Sequence, residues 1–395
     1  MITHFDSSFA GHLDMHNVGY RGTPVNDRRF PNEELVTVFD KGEAIAKTLD
    51  RLGYDRFWMA EHHFQPEGYE CIPNLLLYAV HLAHVTERLK IGCGFNITPM
   101  WHPLRLAEDY AVADILTGGR VIFGVGRGYH TREVETFGAP LLDQQANRDL
   151  FEEQVEIIFQ AFNNESFSHQ GTYYTLPPRV PYRGYELTEL TLVPRPLRRP
   201  VECWQPIQSA TQRGMDFMAK HGIKGVIGGG SADGGALPRV IHAYRDALAR
   251  AGRETALGTD LSIGFHFYMA KTQEQGMREA AGCFEENLKM FGPLRLVRAL
   301  TDEQIEAMAD PQRAPYAGLP TIEDAVKGGA FLCGTAEQII EQLMKLEDAY
   351  PGLERINVAH PVGTPRSVML EQLQQFAEEV MPAFTNRVTE TVAGN

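Results

Sequence analysis

Strand-like and helix-like stretches alternate along nearly the whole of this 395-residue chain, and they do so eight times. Short apolar runs begin near Ile2, Tyr54, Leu89, Arg120, Val201, Gly225, Leu261 and Arg355. Amphipathic stretches follow them at 34–52, 73–86, 103–117, 144–162, 211–221, 237–251, 335–350 and 365–381. In the fourth, Phe151, Val155, Ile158, Phe159 and Phe162 recur at helical spacing, which puts one apolar stripe on one face. In the third, Pro103 takes a first-turn position and Gly118-Gly119 closes the far end. Eight such units in order predict an α/β fold, a closed (β/α)8 TIM barrel.

A bare barrel needs about 250 residues, so the excess belongs in insertions. Three are expected within one domain spanning 1–395: 11–32 after strand one, 163–200 after the fourth helix, and 272–334 after strand seven. The second is rich in proline and carries Tyr173, Tyr174, Tyr182 and Tyr185. The first and third follow strands, which places them over the barrel mouth as lids; subunit contacts are the other use for them.

Composition narrows the function. Hydrophobic residues make up 43% of the chain, enough for a large core, and the net charge of −14 argues against nucleic acid or an anionic membrane as partner. Cys71, Cys93, Cys203, Cys283 and Cys333 form no Cys-x-x-Cys, which suits a reducing compartment and disfavours a disulfide frame or a zinc site. The first residues show no basic stretch leading into an apolar one, so no signal peptide is expected. No apolar run approaches the ~18 residues of a membrane span. The expectation is a soluble, cytoplasmic protein.

Four clusters sit where strands are expected to end, which is where barrels place their chemistry. The first is Glu61-His62-His63-Phe64. Neighbours on a strand point to opposite faces, so only one of the two histidines can enter a pocket, as general acid or base; hydrogen bonding to loop backbone is the alternative. A His-x-His pair, which a metal-dependent barrel hydrolase would use, is absent, and His81 and His84 fall on an outer helix, so no metal is expected.

The second cluster is Gly124-Val125-Gly126-Arg127-Gly128-Tyr129-His130, where glycines let a ligand approach the backbone and Arg127 suits a phosphate. A dinucleotide fingerprint would need glycine where Tyr129 stands; ligand binding is the favoured reading of the run, with a tight strand exit and a surface arginine as the alternative. The third, Asn96 through Trp101-His102-Pro103, combines an aromatic with polar groups, which suits a flat heteroaromatic ligand; an ordinary loop with a packed tryptophan is the alternative. The fourth, Trp204 through Ser209-Ala210-Thr211, brings small hydroxyls to a helix start, where they cap it or hold a phosphate. Gly228-Gly229-Gly230-Ser231 and Gly334-Thr335 are further strand-to-helix turns, and the second competes for the phosphate role because barrels often use the loops after strands seven and eight.

In order and spacing, the blocks 52–64, 101–109, 114–120 and 123–129 resemble the bacterial luciferase-like flavin monooxygenases, with the match spanning 34–162 and weakening towards the end of the chain. That resemblance implies a barrel using reduced FMN, supplied by a separate flavin reductase, and O2 to insert one oxygen atom into a small, mainly apolar organic substrate. It implies that His62 is an acid/base group beside the flavin, that Glu61 is a carboxylate near it, and that Arg127, with Ser209 and Thr211, meets the FMN phosphate. Asn96, Gly126 and Tyr129 are the further cofactor contacts expected. Phe64, Trp101 and Trp204, with Phe95 and Phe123, are expected to wall the substrate pocket. Relatives are usually dimers or tetramers, so a homo-oligomer is expected. Insertions 11–32 and 272–334 have no counterpart in the family pattern, so the substrate cannot be carried over. Two other readings stay open: a deazaflavin-dependent hydride transferase and a non-catalytic flavin-binding protein.

Overall fold

The computed structural model describes residues 1–228, 236–297 and 299–393. Eight parallel strands form the barrel: β1 (His4–Phe9), β2 (Arg56–Met59), β3 (Lys90–Cys93), β4 (Val121–Gly126), β5 (Cys203–Pro206), β6 (Lys224–Gly228), β7 (Leu261–Met269) and β8 (Arg355–Ala359). Each pairs with its neighbour in sequence, and pairing of β1 with β8 closes the ring. All eight begin within a few residues of the positions expected from the apolar runs. The outer helices are α1 (Thr37–Leu52), α2 (Leu75–His84), α3 (Pro103–Leu116), α4 (Gln144–Asn163), α5 (Gln212–His221), α6 (Ala236–Arg250), α7 (Ala336–Ala349) and α8 (Arg366–Glu379).

Local chemistry sets the helix ends. Asp143 accepts from the N–H groups of Gln145 and Ala146 at the start of α4, which satisfies donors that no intrahelical carbonyl can reach. Gly53 closes α1 at φ 82°, a left-handed conformation that costs glycine little. Phe5, Phe57, Phe267 and Phe376 are buried in one apolar layer between barrel and helices.

The barrel interior is plugged below its mouth by Trp58, Ile122 and Trp204. Trp58 Nε1 donates to Asp6 at 3.0 Å, Asp6 pairs with Arg355, and the Arg56 guanidinium lies over both indoles. This plug forms the floor beneath any ligand entering from the strand ends.

The first insertion lies over the mouth as expected. Leu13 N donates to Gly68 O beyond β2, and Met15 N donates to Gly363 O beyond β8. The second insertion instead runs along α4, where Glu153 accepts from the backbone of Thr172, Tyr173 and Tyr174. The third contains the helix Gln273–Phe291 and a strand absent from the sequence reading, Phe331–Gly334, paired with the upper half of β7. Its four residues carry no alternation, so nothing in their pattern distinguishes them from a buried turn. Among the described residues no helix is long and apolar enough to cross a membrane.

Candidate active site

The exits of β2, β3, β4 and β5 converge on one cavity of about 240 Å³ at the barrel mouth. β2 contributes Ala60, Glu61 and His62; the β3 exit contributes Gly94, Phe95 and Ile97; the β4 exit contributes Gly126, Arg127, Gly128 and Tyr129. Gln205 to Ser209 line it beyond β5, with Thr211, Met215 and Met218 from the start of α5 and Arg148 from α4. Small residues on three successive strands are what open this space.

One part of the cavity is cationic. Among the described residues the Arg127 guanidinium donates only at long range, 3.5 and 3.4 Å, to Gln144. Burial and the neighbouring charges of Arg148 and Arg213 hold its guanidinium below the ordinary arginine value. Arg148 reaches Glu152 at only 3.6 Å. Thr211 stands at the N-cap of α5 without capping it by its side chain, and Ser209 is beside it. Gly214 keeps the first turn open: a β carbon there would lie 3.0 Å from Thr211 Oγ1 and 3.3 Å from Arg148 Nη1. Two arginines, two hydroxyls and a helix start together form a set of donors suited to a phosphate.

Another part is a buried hydrogen-bonded wall. His62, 3% exposed, sets Nδ1 3.1 Å from Glu133 Oε2 and Nε2 2.9 Å from the Tyr129 hydroxyl. Burial alone would push this imidazolium's pKa down, but the carboxylates of Glu70, Glu133 and Glu61 outweigh it and raise it. Glu133 also accepts from His63 N and Gln65 Nε2. Burial opposes its charge, yet His62 and His130 keep its carboxyl below the usual range.

Of the predicted residues, His62, Glu61, Arg127, Gly126, Tyr129, Ser209 and Thr211 line this one cavity. Glu61 is a scaffold in this arrangement: it accepts from Ile97 N at 2.6 Å, Trp101 Nε1 at 2.8 Å and His63 Nε2 at 3.2 Å. The expectation that the adjacent histidines diverge holds, since His63 turns out to meet Phe137 at 4.8 Å between ring centres.

Other placements are corrected. Asn96 does not line the cavity; its amide turns into the wall and donates to Gly124 O. None of Phe64, Trp101 and Trp204 lines it either. Phe64 is 51% exposed and stacks on Phe137 outside, Trp101 is bonded to Glu61, and Trp204 belongs to the barrel plug. Phe123 packs outward against Tyr110 and Phe162, leaving Phe95 as the one aromatic of that expected wall on the cavity. The alternation of strand faces decides these outcomes, and a shift of one residue reverses them. Thr335 is committed to capping α7 through a reciprocal pair with Gln338, which removes the Gly334-Thr335 turn as a phosphate site. Gly229, Gly230 and Ser231 of the other glycine-rich turn lie outside the described residues.

Arg148, Glu70 and Glu133 were not picked out from sequence, and His130 closed the second cluster without a role. Glu133 follows that cluster directly, and the proximity was the available signal. Arg148 reaches the site only because α4 returns to the mouth after β4.

The family model for luciferase-like monooxygenase matches residues 21–351. An uncharacterized protein of Sinorhizobium fredii, y4wF, is 34% identical over 308 residues, covering 77% of this chain and 80% of that protein. The oxygenase component of a flavin-dependent trigonelline monooxygenase from Acinetobacter baylyi is 22% identical, covering 88% and 90% of the two chains. Among solved structures, the oxygenating constituent of 3,6-diketocamphane monooxygenase from Pseudomonas putida, a type II Baeyer-Villiger monooxygenase in complex with FMN, superposes with a TM-score of 0.70 at 20% identity, covering 97% of this chain and 98% of that one.

Proposed function

The chain belongs to the luciferase-like monooxygenase family, and from that premise we propose that it is an FMN-dependent monooxygenase. It inserts one oxygen atom of O2 into a small, mainly apolar organic molecule, as an oxygenase component that receives reduced FMN from a separate flavin reductase. The observation that carries this reading is the joining of Arg127, Arg148, Ser209 and Thr211 with His62 and Tyr129 on one cavity.

The residues present fit the flavin. Arg127 and Arg148, with the hydroxyls and the open start of α5, would hold its phosphate, because partly buried guanidiniums with poor partners gain most from a dianion. Ala60, Gly94 and Gly126, above the Trp58–Trp204 plug, would seat the ring, since the absence of bulky side chains permits close backbone approach. Bound reduced flavin supplies the two electrons that activate oxygen. Phe95, Ile97, Met215 and Met218 keep that part of the cavity apolar, which limits water at the reacting centre. His62 holds a proton in the cavity wall, and insertion 11–32 covers the mouth.

The reading is tested by titrating the purified protein with FMN, riboflavin and a deazaflavin, then mixing the complex with the reduced cofactor into oxygenated buffer in a stopped-flow spectrometer. Tight FMN binding with preference over riboflavin, and oxygen consumption that a bound organic substrate alters, is the expected result. Preference for the deazaflavin without oxygen uptake would replace oxygen insertion by hydride transfer. FMN binding that survives reduction with no reaction towards oxygen would leave a binding protein.

A further inference from the structure

Every hydrogen-bonding position around the His62 ring is filled from within the protein. Nδ1 faces the Glu133 carboxylate, at 3.1 Å from Oε2 and 3.3 Å from Oε1. Nε2 faces Tyr129 Oη at 2.9 Å and Glu70 Oε1 at 3.2 Å. The Tyr129 hydroxyl also donates to Glu70 Oε1 at 2.7 Å, and His130 Nε2 lies 2.9 Å from Glu70 Oε2. Glu70 and Glu133 are each 1% exposed and His130 is 6% exposed, so these contacts lie away from bulk solvent.

Proton counting then constrains the cluster. An ionised carboxylate only accepts, so Nδ1 must donate to Glu133. A phenol has one proton to give. With that proton given to Glu70, Nε2 must also be an N–H, and His62 is an imidazolium. With the phenol proton given to Nε2, Glu70 must be protonated and donate to Tyr129. The two arrangements hold the same number of protons and interconvert within the cluster.

We propose that His62, Tyr129 and Glu70 form a proton relay in the cavity wall, with Glu70 as the carboxylate that keeps His62 an imidazolium and the Tyr129 hydroxyl as the bridge between them. In the transfer, the His62 Nε2–H bond breaks as a Tyr129 O–H bond forms. The original Tyr129 O–H bond breaks as an O–H bond forms on Glu70 Oε1. The resting arrangement is the ion pair, because Glu133 from the helix Thr131–Val134, Glu61 from the β2 exit and Glu70 from the loop beyond it all place negative charge around the ring. His130 anchors the far oxygen of Glu70. His62 thereby switches between acid and base without drawing a proton from solvent, which a cavity that excludes water needs. Glu70 and His130 are positioning residues, acting through His62.

The proton assignment rests on hydrogen-bond geometry and on the carboxylates around the ring; only its use in turnover rests on the flavin reading. It is tested on flavin-free protein by ¹⁵N NMR of the histidine rings between pH 5 and 9, with metal content measured on the same sample. Protons on both His62 nitrogens at pH 7.5 are expected. In Glu70→Gln, the midpoint for loss of the second proton should shift so that affinity for that proton falls at least tenfold, while Glu70→Asp restores part of it. A neutral single tautomer of His62 in the wild type would overturn the relay even if no variant folds. So would an unchanged His62 titration in Glu70→Gln. Atoms of His62, Glu70 and His130 lie within 4.8 Å of one another, so a stoichiometric divalent metal whose removal by chelator moves both histidine signals would replace the shared proton with a cation. Failure of the protein to bind FMN would leave this result standing and remove only the proposed activity.

Discussion

The indole of Trp58 occupies the space where a side chain on Gly92 would stand. A β carbon at Gly92 would fall inside contact distance of Trp58 Cε3, Cδ2 and Cζ3. These residues are register partners on β2 and β3, both facing the barrel interior. The tryptophan is fixed from its far side by its bond to Asp6, so it cannot tilt away without losing that bond. Gly92→Ala should therefore destabilise the fold by about 1–3 kcal/mol, the usual range for overpacking. Urea unfolding measures it, and combining the change with Trp58→Phe should recover part of the loss. A change within about 0.5 kcal/mol, as at a surface position, would show that the plug is loosely packed.

Arg148 offers a sharper test of the phosphate end than Arg127, because its removal relieves repulsion in the free protein. Arg127 is held below the ordinary value first by burial and then by Arg148. Arg148→Ala should leave the unfolding midpoint unchanged or slightly higher. Its FMN affinity should fall about ten- to a hundredfold, as loss of a charged hydrogen bond worth about 1.5–3 kcal/mol implies, with riboflavin affinity unaltered. Equal losses for FMN and riboflavin in a fluorescence titration would place Arg148 away from the phosphate.

Much of the frame was legible because its signals are periodic and local. The stripe of Phe151, Val155, Ile158 and Phe162, the proline at the start of α3 and the glycines closing its end are each set by neighbours in sequence. The cavity was legible in part, through residues at strand exits such as His62, Arg127 and Tyr129. Side-chain direction was not. Asn96, Trp101, Trp204 and Phe123 stand near the right strand ends but face away from the cavity, and strand register decides this at the level of a single residue. Arg148 and Glu70 were hidden for another reason: what they touch is fixed by tertiary return of α4 and of the loop beyond β2, which no local pattern encodes.

Glu286, on the helix Gln273–Phe291, ties the first insertion down. Its fully buried carboxylate accepts from Gly19 N at 2.9 Å, Arg28 Nε at 2.8 Å, Tyr69 Oη at 2.5 Å and Lys289 Nζ at 2.9 Å. Removing one partner of a buried ion network leaves the others uncompensated, at a cost of about 3–5 kcal/mol. Glu286→Ala should lower stability by that order and free the segment 11–32, exposing Arg21, Arg28 and Arg29 to trypsin. Cleavage kinetics under native conditions measure the second effect. Protection equal to wild type, with a small stability change, would mean that the backbone bonds of Leu13 and Met15 hold the segment on their own.

Acid stability should be governed by histidines buried away from the cavity. His360 packs at 4.6 Å from the Phe267 ring, and neither ring nitrogen has a hydrogen-bond partner among the described residues. Burial, followed by His266 and Lys41, pushes its pKa down to about 3. Burial and the Lys41 ammonium likewise push His12 well down, and burial takes His266 to about 4. These folded-state values lie below the unfolded value of about 6.5, so below pH 6.5 the unfolded chain takes up protons that the folded one refuses. Stability therefore falls as pH drops, by about 1.4 kcal/mol per pH unit for each such group. His12, His360 and His266 together set a slope of up to about 4 kcal/mol per unit, with the His266 share fading first as pH approaches about 4. His62 adds no slope in this range: its folded value is raised, so it is protonated in both states below pH 6.5, and the stability it contributes is lost only as pH rises through that value. Ordinary carboxylates enter below about pH 4.5, which leaves pH 6.5 to 4.5 as the histidine window. His360→Leu should flatten the dependence of the urea midpoint across that window by close to one proton and make the variant the more stable protein at pH 5. A slope identical to wild type would show that His360 accepts its proton in the folded state, with water or a rearranged Lys41 supplying the partner.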